Sequence, residues 1–192
     1  MDSTPGLRER KKAETRQAVH EAALRLVVSH GLDSVTVEAI ADAANISRRT
    51  FSNYFSGKED ALLYGEEQRI RALVGQVRAQ PAGMSAWQAL RGSIEELRRQ
   101  VGEPEREWAL RTRLARQHPS LLARQLANHA ALERDLAEAV AERPSTVPAP
   151  VLAAAFLVAL RLAALVWTEE QQTRTLREVM NETLDQIALP FT

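Results

Sequence analysis

The chain has 192 residues, of which 45% are hydrophobic and 26% are charged, and its formal net charge is zero. This apolar fraction is enough for a folded core and excludes an intrinsically disordered chain. The absence of cysteine excludes disulfide frameworks and thiolate metal sites, and it fits a cytoplasmic protein. Residues 2–16 are polar and charged, so we expect no signal peptide.

Positive charge is concentrated near the N-terminus. Residues 1–58 carry nine Lys or Arg and seven Asp or Glu, a net charge of +2, whereas residues 59–192 carry sixteen and eighteen, a net charge of −2. The cluster contains all three lysines and three of the arginines: Arg8, Arg10, Lys11, Lys12, Arg16 and Lys58. Such clustering favours phosphate contact, although an ordinary solvated helix surface has the same pattern.

Helical spacing runs through the whole chain and predicts an all-α fold. A first helix is expected over residues 8–30, ended by Gly31. Two short helices follow, and each begins with a capping hydroxyl, Thr36 in one and Ser47 in the other. Each also has an apolar pair with the spacing of a hydrophobic staple. A fourth helix is expected over residues 58–79, beginning at Gly57 or at Ser56 with Glu59 as its partner.

The remaining sequence predicts a larger helical domain. Its helices are expected over residues 85–101, 104–117, 119–143, 150–169 and 174–189, and a Ser85–Gln88 capping box starts the first of them. In the helix over 119–143, one apolar side is expected to carry Leu122, Leu126, His129, Leu132, Leu136 and Val140. We therefore expect a three-helix N-terminal domain at 1–57 and a second domain at 58–192.

The helix over 150–169 is apolar nearly all round, more than the core of a single protomer requires. A membrane span is the alternative, because the segment has nearly the necessary length. Arg161 in its middle and the flanking prolines argue against that alternative. We therefore expect this helix to take part in a contact with a second copy of the chain.

Polar side chains occupy the outer face of the predicted third helix. Spacing turns Ile46, Phe51 and Phe55 inward and leaves Arg48, Arg49, Ser52 and Asn53 outward. Arg can donate two hydrogen bonds to guanine, and Asn can pair in the same way with adenine. Small side chains such as Ser47 and Thr50 allow a close approach to DNA. Phosphate contacts are expected from Thr36, Tyr54 and Lys58, the first and last of which begin helices.

Residues 36–61 resemble the DNA-binding domain of the tetracycline-repressor (TetR) family of regulators. The matching features are the capped helix at Thr36, the pair Ile40–Ala41, Ala44, the turn Asn45–Ile46–Ser47, and then Thr50–Phe51, Tyr54–Phe55 and Lys58–Glu59. The family usually has glycine at the position of Asn45, an aromatic residue at Ser52 and serine at Gly57. These departures suggest a particular operator rather than a loss of DNA binding.

The resemblance implies a homodimer joined through the last two helices. Within them, the candidate interface residues are Ala155, Ala159, Leu162, Val179, Leu184 and Ile187. It also implies a ligand pocket in the larger domain, with candidate lining residues Trp87, Arg91, Ile94, Trp108, Arg111, Leu126 and Phe156. The apolar members of that set can equally be ordinary core residues. If Arg91 or Arg111 faces the pocket, an anionic ligand is favoured.

The resulting hypothesis is a cytoplasmic, homodimeric repressor that leaves a double-stranded DNA operator when an unidentified small molecule binds. No metal is expected, because the sequence lacks cysteine and has no close pair of histidines. No cofactor and no membrane partner are expected either. No catalytic constellation stands out, so an enzyme is not expected. The alternative is a helical ligand-binding protein or enzyme that does not bind DNA.

Overall fold

A computed structural model describes residues 6–101, 109–110, 113–114, 117–170 and 173–188. These residues contain helices and no strand, which confirms the all-α prediction. The helices whose bounds are described are α1 (Leu7–His30), α2 (Val37–Ala43), α3 (Arg48–Ser52), α4 (Lys58–Ala79), α5 (Ala86–Val101), α6 (Pro119–Val140), α7 (Ala149–Glu169) and α8 (Leu176–Ala188). Most of the helix expected over 104–117 lies outside the described residues, although residues 109–110, 113–114 and 117 are helical.

The chain divides into two compact units, Met1–Gln68 and Arg69–Thr192. The division falls inside α4, whose first turns therefore belong to the first unit. In that unit, α1 buries Val19 and Ala23, and α2 buries Ile40. This small core fixes the positions of the two short helices.

Local hydrogen bonds set the starts of the helices where the sequence predicts them. The Thr36 hydroxyl oxygen accepts from the Ala39 amide at 3.1 Å, and that of Ser47 accepts from the Thr50 amide at 3.0 Å. Before α5, Ser85 donates its amide proton to the Gln88 side chain at 3.0 Å and accepts from the Gln88 amide at 3.3 Å, as a capping box requires. At α4 the predicted partner was wrong by one residue, because the carboxylate that accepts from the amide and the hydroxyl of Ser56 is that of Asp60 and not the expected Glu59.

The turn between α2 and α3 depends on Asn45, whose φ is 54°. The chain then returns to α2, because the Ile46 amide donates to the Ala41 carbonyl at 2.9 Å. For a residue with a β-carbon, this φ costs about 1–2 kcal/mol of conformational free energy. Asn tolerates the conformation better than most residues, and Gly, which has no β-carbon, avoids the cost.

We expect Asn45→Ala to lower the free energy of unfolding by about 1 kcal/mol, because Ala lacks the local hydrogen bonding of Asn at positive φ. Asn45→Gly is the matched variant and should be at least as stable as the parent. Urea denaturation followed by circular dichroism measures both changes. Equal stability of the two variants would contradict the role given to this backbone angle.

In the second unit, α7 packs against α5, α6 and α8. By length and composition α7 could cross a membrane. However, its buried face forms the centre of the unit, with Leu152, Phe156 and Trp167 each no more than 2% exposed. The Trp167 indole N–H also donates to the Arg174 carbonyl at 2.8 Å and ties α7 to the start of α8. We therefore assign α7 as a core helix.

The apolar stripe expected on α6 is partly wrong. Leu132, Leu136 and Val140 are buried as expected, but the stripe continues to Leu121. Leu122 and Leu126 are instead 37% and 48% exposed. The reason is helical geometry, because the eleven residues from Leu121 to Leu132 make about three full turns and return to the same side.

Candidate nucleic-acid interface

The α3 helix presents its polar side to solvent, as its sequence predicts. Phe51 is 1% exposed and anchors the helix in the core, with the Phe55 ring centroid 5.7 Å away. The outward residues predicted for base contact or close approach are exposed: Arg48, Arg49, Ser52 and Asn53. Ile46, expected to point inward, is only half-buried. The structure therefore brings two guanidinium groups and one amide side chain together on a short, firmly seated helix.

Arg48 and Arg49 differ in their surroundings. Arg48 forms an ion pair with Glu38 of α2 at 2.9 Å, and both side chains are largely exposed. Such a surface pair contributes only about 0–1 kcal/mol, so DNA could displace it at little cost. For Arg49, the described residues show no ion pair, and its guanidinium can approach a base edge without breaking one. Arg49 is thus the better-placed base-contacting candidate.

Lys58 holds the polypeptide that precedes α2. Its ammonium group donates to the Leu32 carbonyl at 2.8 Å and to the Val35 carbonyl at 3.0 Å. Two of its three protons are therefore used inside the unit, and one remains for a phosphate. This internal role of Lys58 cannot be predicted from local sequence, because the partners lie 26 and 23 residues away in the chain.

The remaining predicted phosphate-contacting groups lie at helix ends. The hydroxyl of Thr36 caps α2 through its oxygen and keeps its proton for an external acceptor. The Ser47 and Thr50 hydroxyls bond to each other at 2.8 Å at the start of α3. Tyr54, which follows α3, is half-buried, and the Arg16 guanidinium lies 5.6 Å from the centroid of its ring.

His20 is a buried polar residue of the first unit that the sequence analysis did not single out. Its Nδ1 lies 2.8 Å from the Ala61 carbonyl oxygen. Because a carbonyl only accepts, the ring nitrogen donates this hydrogen bond. The ring also makes an edge contact with Tyr64 at 6.0 Å. The contact fixes α1 against the first turns of α4, on which Lys58 lies.

Some of the predicted pocket residues meet in the second unit. Trp87 and Phe156 make a perpendicular ring contact with centroids 6.0 Å apart, and Ile94 belongs to the same core cluster. The Trp87 indole nitrogen is buried, and no described group accepts its proton. A buried donor without an acceptor lowers the stability of the fold by about 1–3 kcal/mol, and an acceptor on a bound molecule would remove this cost.

Other pocket candidates do not meet there. Arg91 forms an ion pair with Asp185, which joins α5 to α8 and neutralises its charge. Leu126 is 48% exposed on α6. Trp108 and Arg111 lie outside the described residues. Because Arg91 is already paired with Asp185, it is a weaker candidate for binding an anionic ligand.

Half of the predicted interface residues are buried inside the protomer itself. Ala159, Val179 and Leu184 are at most 1% exposed because they form the protomer's own core. They therefore have no surface left for a partner. Three others remain half-buried: Ala155, Leu162 and Ile187.

The exposed apolar side of α7 extends beyond the predicted Ala155 and Leu162. It carries Val151, Val158 and Val166, which are 46%, 39% and 36% exposed. Ala155 and Leu162 lie between them, so the five residues recur every three or four positions and form one stripe. We call this set the α7 stripe.

Two family models match the chain. The model of bacterial regulatory proteins of the tetR family matches residues 20–64, and the model of the MftR C-terminal domain matches residues 84–192, which is 109 of the 192 residues. The first covers α2 and α3 and extends into α4, and the second covers α5 to α8. Both units of the chain are thus matched.

A curated relative and two solved structures are similar to this chain. The HTH-type transcriptional regulator TcmR of Streptomyces glaucescens is 32% identical over 145 residues, which is 72% of this chain but only 64% of that protein. Thermus thermophilus FadR, a TetR-family transcriptional repressor in complex with lauroyl-CoA, is 24% identical with a TM-score of 0.62, covering 90% of this chain and 92% of its own. Bacillus subtilis FadR in complex with stearoyl-CoA is 16% identical with a TM-score of 0.51, covering 89% and 96%.

The two structures share the fold of an N-terminal helix-turn-helix followed by a helical domain. With matches to both of its units and the capped, outward-polar α3 in place, the chain belongs to the TetR family of bacterial transcriptional regulators.

Proposed function

We propose that the protein is a cytoplasmic, homodimeric repressor that leaves its operator when a small molecule binds in the second unit. The observation that carries the proposal is the exposed polar face of α3, held by the buried Phe51 and by the capping hydroxyl of Ser47. A helix seated in this way can enter a major groove without unfolding its own support. Its side chains then meet base edges directly.

Within the interface, base contact and phosphate contact fall to different residues. We assign base contact to Arg48, Arg49 and Asn53, because Arg and Asn match the hydrogen-bonding edges of guanine and adenine. We assign phosphate contact to Thr36 and Tyr54 and to the remaining proton of Lys58. Phosphate contacts add affinity that does not depend on base sequence.

Dimerisation is proposed through the α7 stripe. Apolar side chains in a stripe gain stability when a partner removes them from water, at about 25 cal/mol per Å². A two-fold dimer presents two α3 helices to successive major grooves. The operator is then a near-palindrome with half-site centres about 34–36 Å apart.

The proposed ligand site lies beside Trp87. The buried, unpartnered indole N–H and the apolar rings of Trp87 and Phe156 favour an apolar molecule with one hydrogen-bond acceptor. The FadR proteins bind acyl-CoA molecules, whose thioester carbonyl is such an acceptor, and this makes acyl-CoAs reasonable members of a ligand panel. Because these proteins are only 24% and 16% identical to this chain, their ligands do not identify its ligand.

A tryptophan variant tests the ligand site. We expect Trp87→Phe to keep the fold and the ring contact but to weaken binding of the effector by about 5–150-fold, the value of one buried hydrogen bond of about 1–3 kcal/mol. Isothermal titration with any effector found in the panel measures the change. Trp167→Phe is the matched control, because the Trp167 N–H already has the Arg174 carbonyl as its acceptor. Unchanged affinity in Trp87→Phe would remove Trp87 from the site.

Release from DNA is proposed to act through α4, which leaves the first unit and enters the second. Three carbonyls at its C-terminal end, of Val77, Gln80 and Pro81, accept hydrogen bonds from Arg143 at 2.8 Å each. A change in the second unit that moves Arg143 would therefore displace the C-terminal end of α4, because these hydrogen bonds connect the two. The ligand shifts the population between two states only by its difference in affinity for them.

A gel-shift assay against the DNA upstream of the protein's own gene tests the proposal. We expect a saturable complex that unrelated DNA of equal length displaces poorly. An effector from the panel should dissociate that complex. Effectors that bind tightly but leave the complex intact would contradict the release mechanism, and a failure to bind any duplex would favour a ligand-binding protein without DNA binding.

A further inference from the structure

We propose that one face of the N-terminal half of α1 is a second DNA-binding surface, which contacts phosphates outside the half-site that α3 enters. This inference rests on the proposed function and extends it. The surface, which we call the α1 groove, is lined by Leu7, Arg8, Lys11, Lys12, Thr15 and Tyr54. Its occupant is the sugar-phosphate backbone of duplex DNA.

The spacing of the basic residues places them on one side of the helix. Lys11 and Lys12 come three and four residues after Arg8, and Arg16 comes four residues after Lys12. The span from Arg8 to Arg16 is about 12 Å at 1.5 Å per residue. Each DNA strand has a phosphate about every 3.4 Å along its axis, so several phosphates lie within reach of this face.

The charge of the groove is positive. Three of its six lining residues are cationic and none is acidic. The nearest carboxylate on the same turn, Glu9, is bonded to the Lys12 ammonium at 2.8 Å, and that hydrogen bond lowers the pKa of Glu9. Among the described residues Glu9 forms its ion pair with Lys12, while Arg8 acts on Glu9 only through its nearby charge, so Arg8 and Lys11 can still contact an outside anion.

The groove is linked to α3 through Tyr54, which follows that helix. Tyr54 lines it and comes directly after the exposed Asn53, while Arg16 lies over the Tyr54 ring at 5.6 Å. A DNA strand that passes α3 therefore meets Tyr54 and then the α1 cations. The groove measures about 540 Å³ and is open to solvent, so an extended phosphate backbone can enter it.

The expected effect is on salt dependence rather than on base preference. Each phosphate contact adds about 0.9 to the slope of log affinity against log salt concentration. A variant with Arg8→Gln and Lys11→Gln should therefore reduce the slope by up to about 1.8. Its preference among base sequences should remain that of the parent.

The experiment uses two duplexes built on a sequence that the full-length protein enriches from a randomised library. The short duplex ends at the outer edges of the half-sites, and the long duplex adds ten base pairs, about one turn, on each side. We expect the parent to bind the long duplex more tightly. The double variant should bind the short duplex with the affinity of the parent, and it should bind the long duplex no more tightly than the short one.

The control variant, with Arg25→Gln and Arg78→Gln, removes the same charge from exposed positions outside the groove. It should behave as the parent on both duplexes. The proposal is overturned if the groove variant keeps the advantage of the long duplex or loses affinity equally on both. If the parent enriches no duplex at all, the proposed function itself fails. Circular dichroism and thermal unfolding check that both variants are folded.

Discussion

Replacing Arg49 by Ala is expected to weaken operator binding by about 5–150-fold for each half-site. A bidentate contact with a base is worth about 1–3 kcal/mol of discrimination, and every 1.4 kcal/mol is a factor of ten. Arg49 is exposed on α3, so the variant removes the contact without disturbing the core. Binding to unrelated DNA should change by less, and preference should relax at one base position.

Two further variants separate base contact from positioning. Arg48→Ala should cost less than Arg49→Ala, because Arg48 exchanges its ion pair with Glu38 for the base contact. Lys58→Ala should weaken all sequences about equally, reduce the salt slope and lower the stability of the first unit, because it frees the Leu32 and Val35 carbonyls. Competition titrations against a panel of point-mutated operators measure these effects. If Arg49→Ala and Lys58→Ala both weakened binding uniformly, the division of roles would be wrong.

Replacing Val158 by Asp is expected to dissociate the dimer. Val158 lies at the middle of the α7 stripe and is 39% exposed in one protomer. In a two-fold dimer the change places two carboxylates in an apolar contact, and like charges there cost several kcal/mol. Operator affinity should then fall by at least about 100-fold, because only one half-site can be held at a time.

Sedimentation equilibrium and DNA titration of the same samples measure this effect. Val28→Asp is the matched control, since Val28 is 67% exposed on α1 and lies outside the proposed interface. It should remain dimeric. A folded Val158→Asp protein that remains dimeric and binds DNA normally would show that the α7 stripe is not the interface.

Features that depend on neighbouring residues could be predicted from the sequence. The caps at Thr36, Ser47 and Ser85 were, because each needs only a hydroxyl and an amide a few residues apart. The positive φ at Asn45 fits the glycine that the family usually has at this position. The outward polar face of α3 also followed from helical spacing alone.

Features that depend on distant parts of the chain could not be predicted from the sequence. Hydrophobicity identifies Val179 and Leu184 as buried, but it does not say whether the partner is the same protomer or another. The Lys58 contacts and the Arg91–Asp185 ion pair join residues far apart in sequence. The α1 groove likewise needs Tyr54 to lie beside α1, which the basic cluster alone does not reveal.

Hydroxyl-radical footprinting on the enriched duplex tests whether the protein binds its operator as a two-fold dimer. We expect two protected regions on one face of the DNA, about one helical turn apart and related by a near-palindrome, at a stoichiometry of two chains per duplex. Added effector should remove both regions together. A single asymmetric half-site protected by one chain would contradict the account.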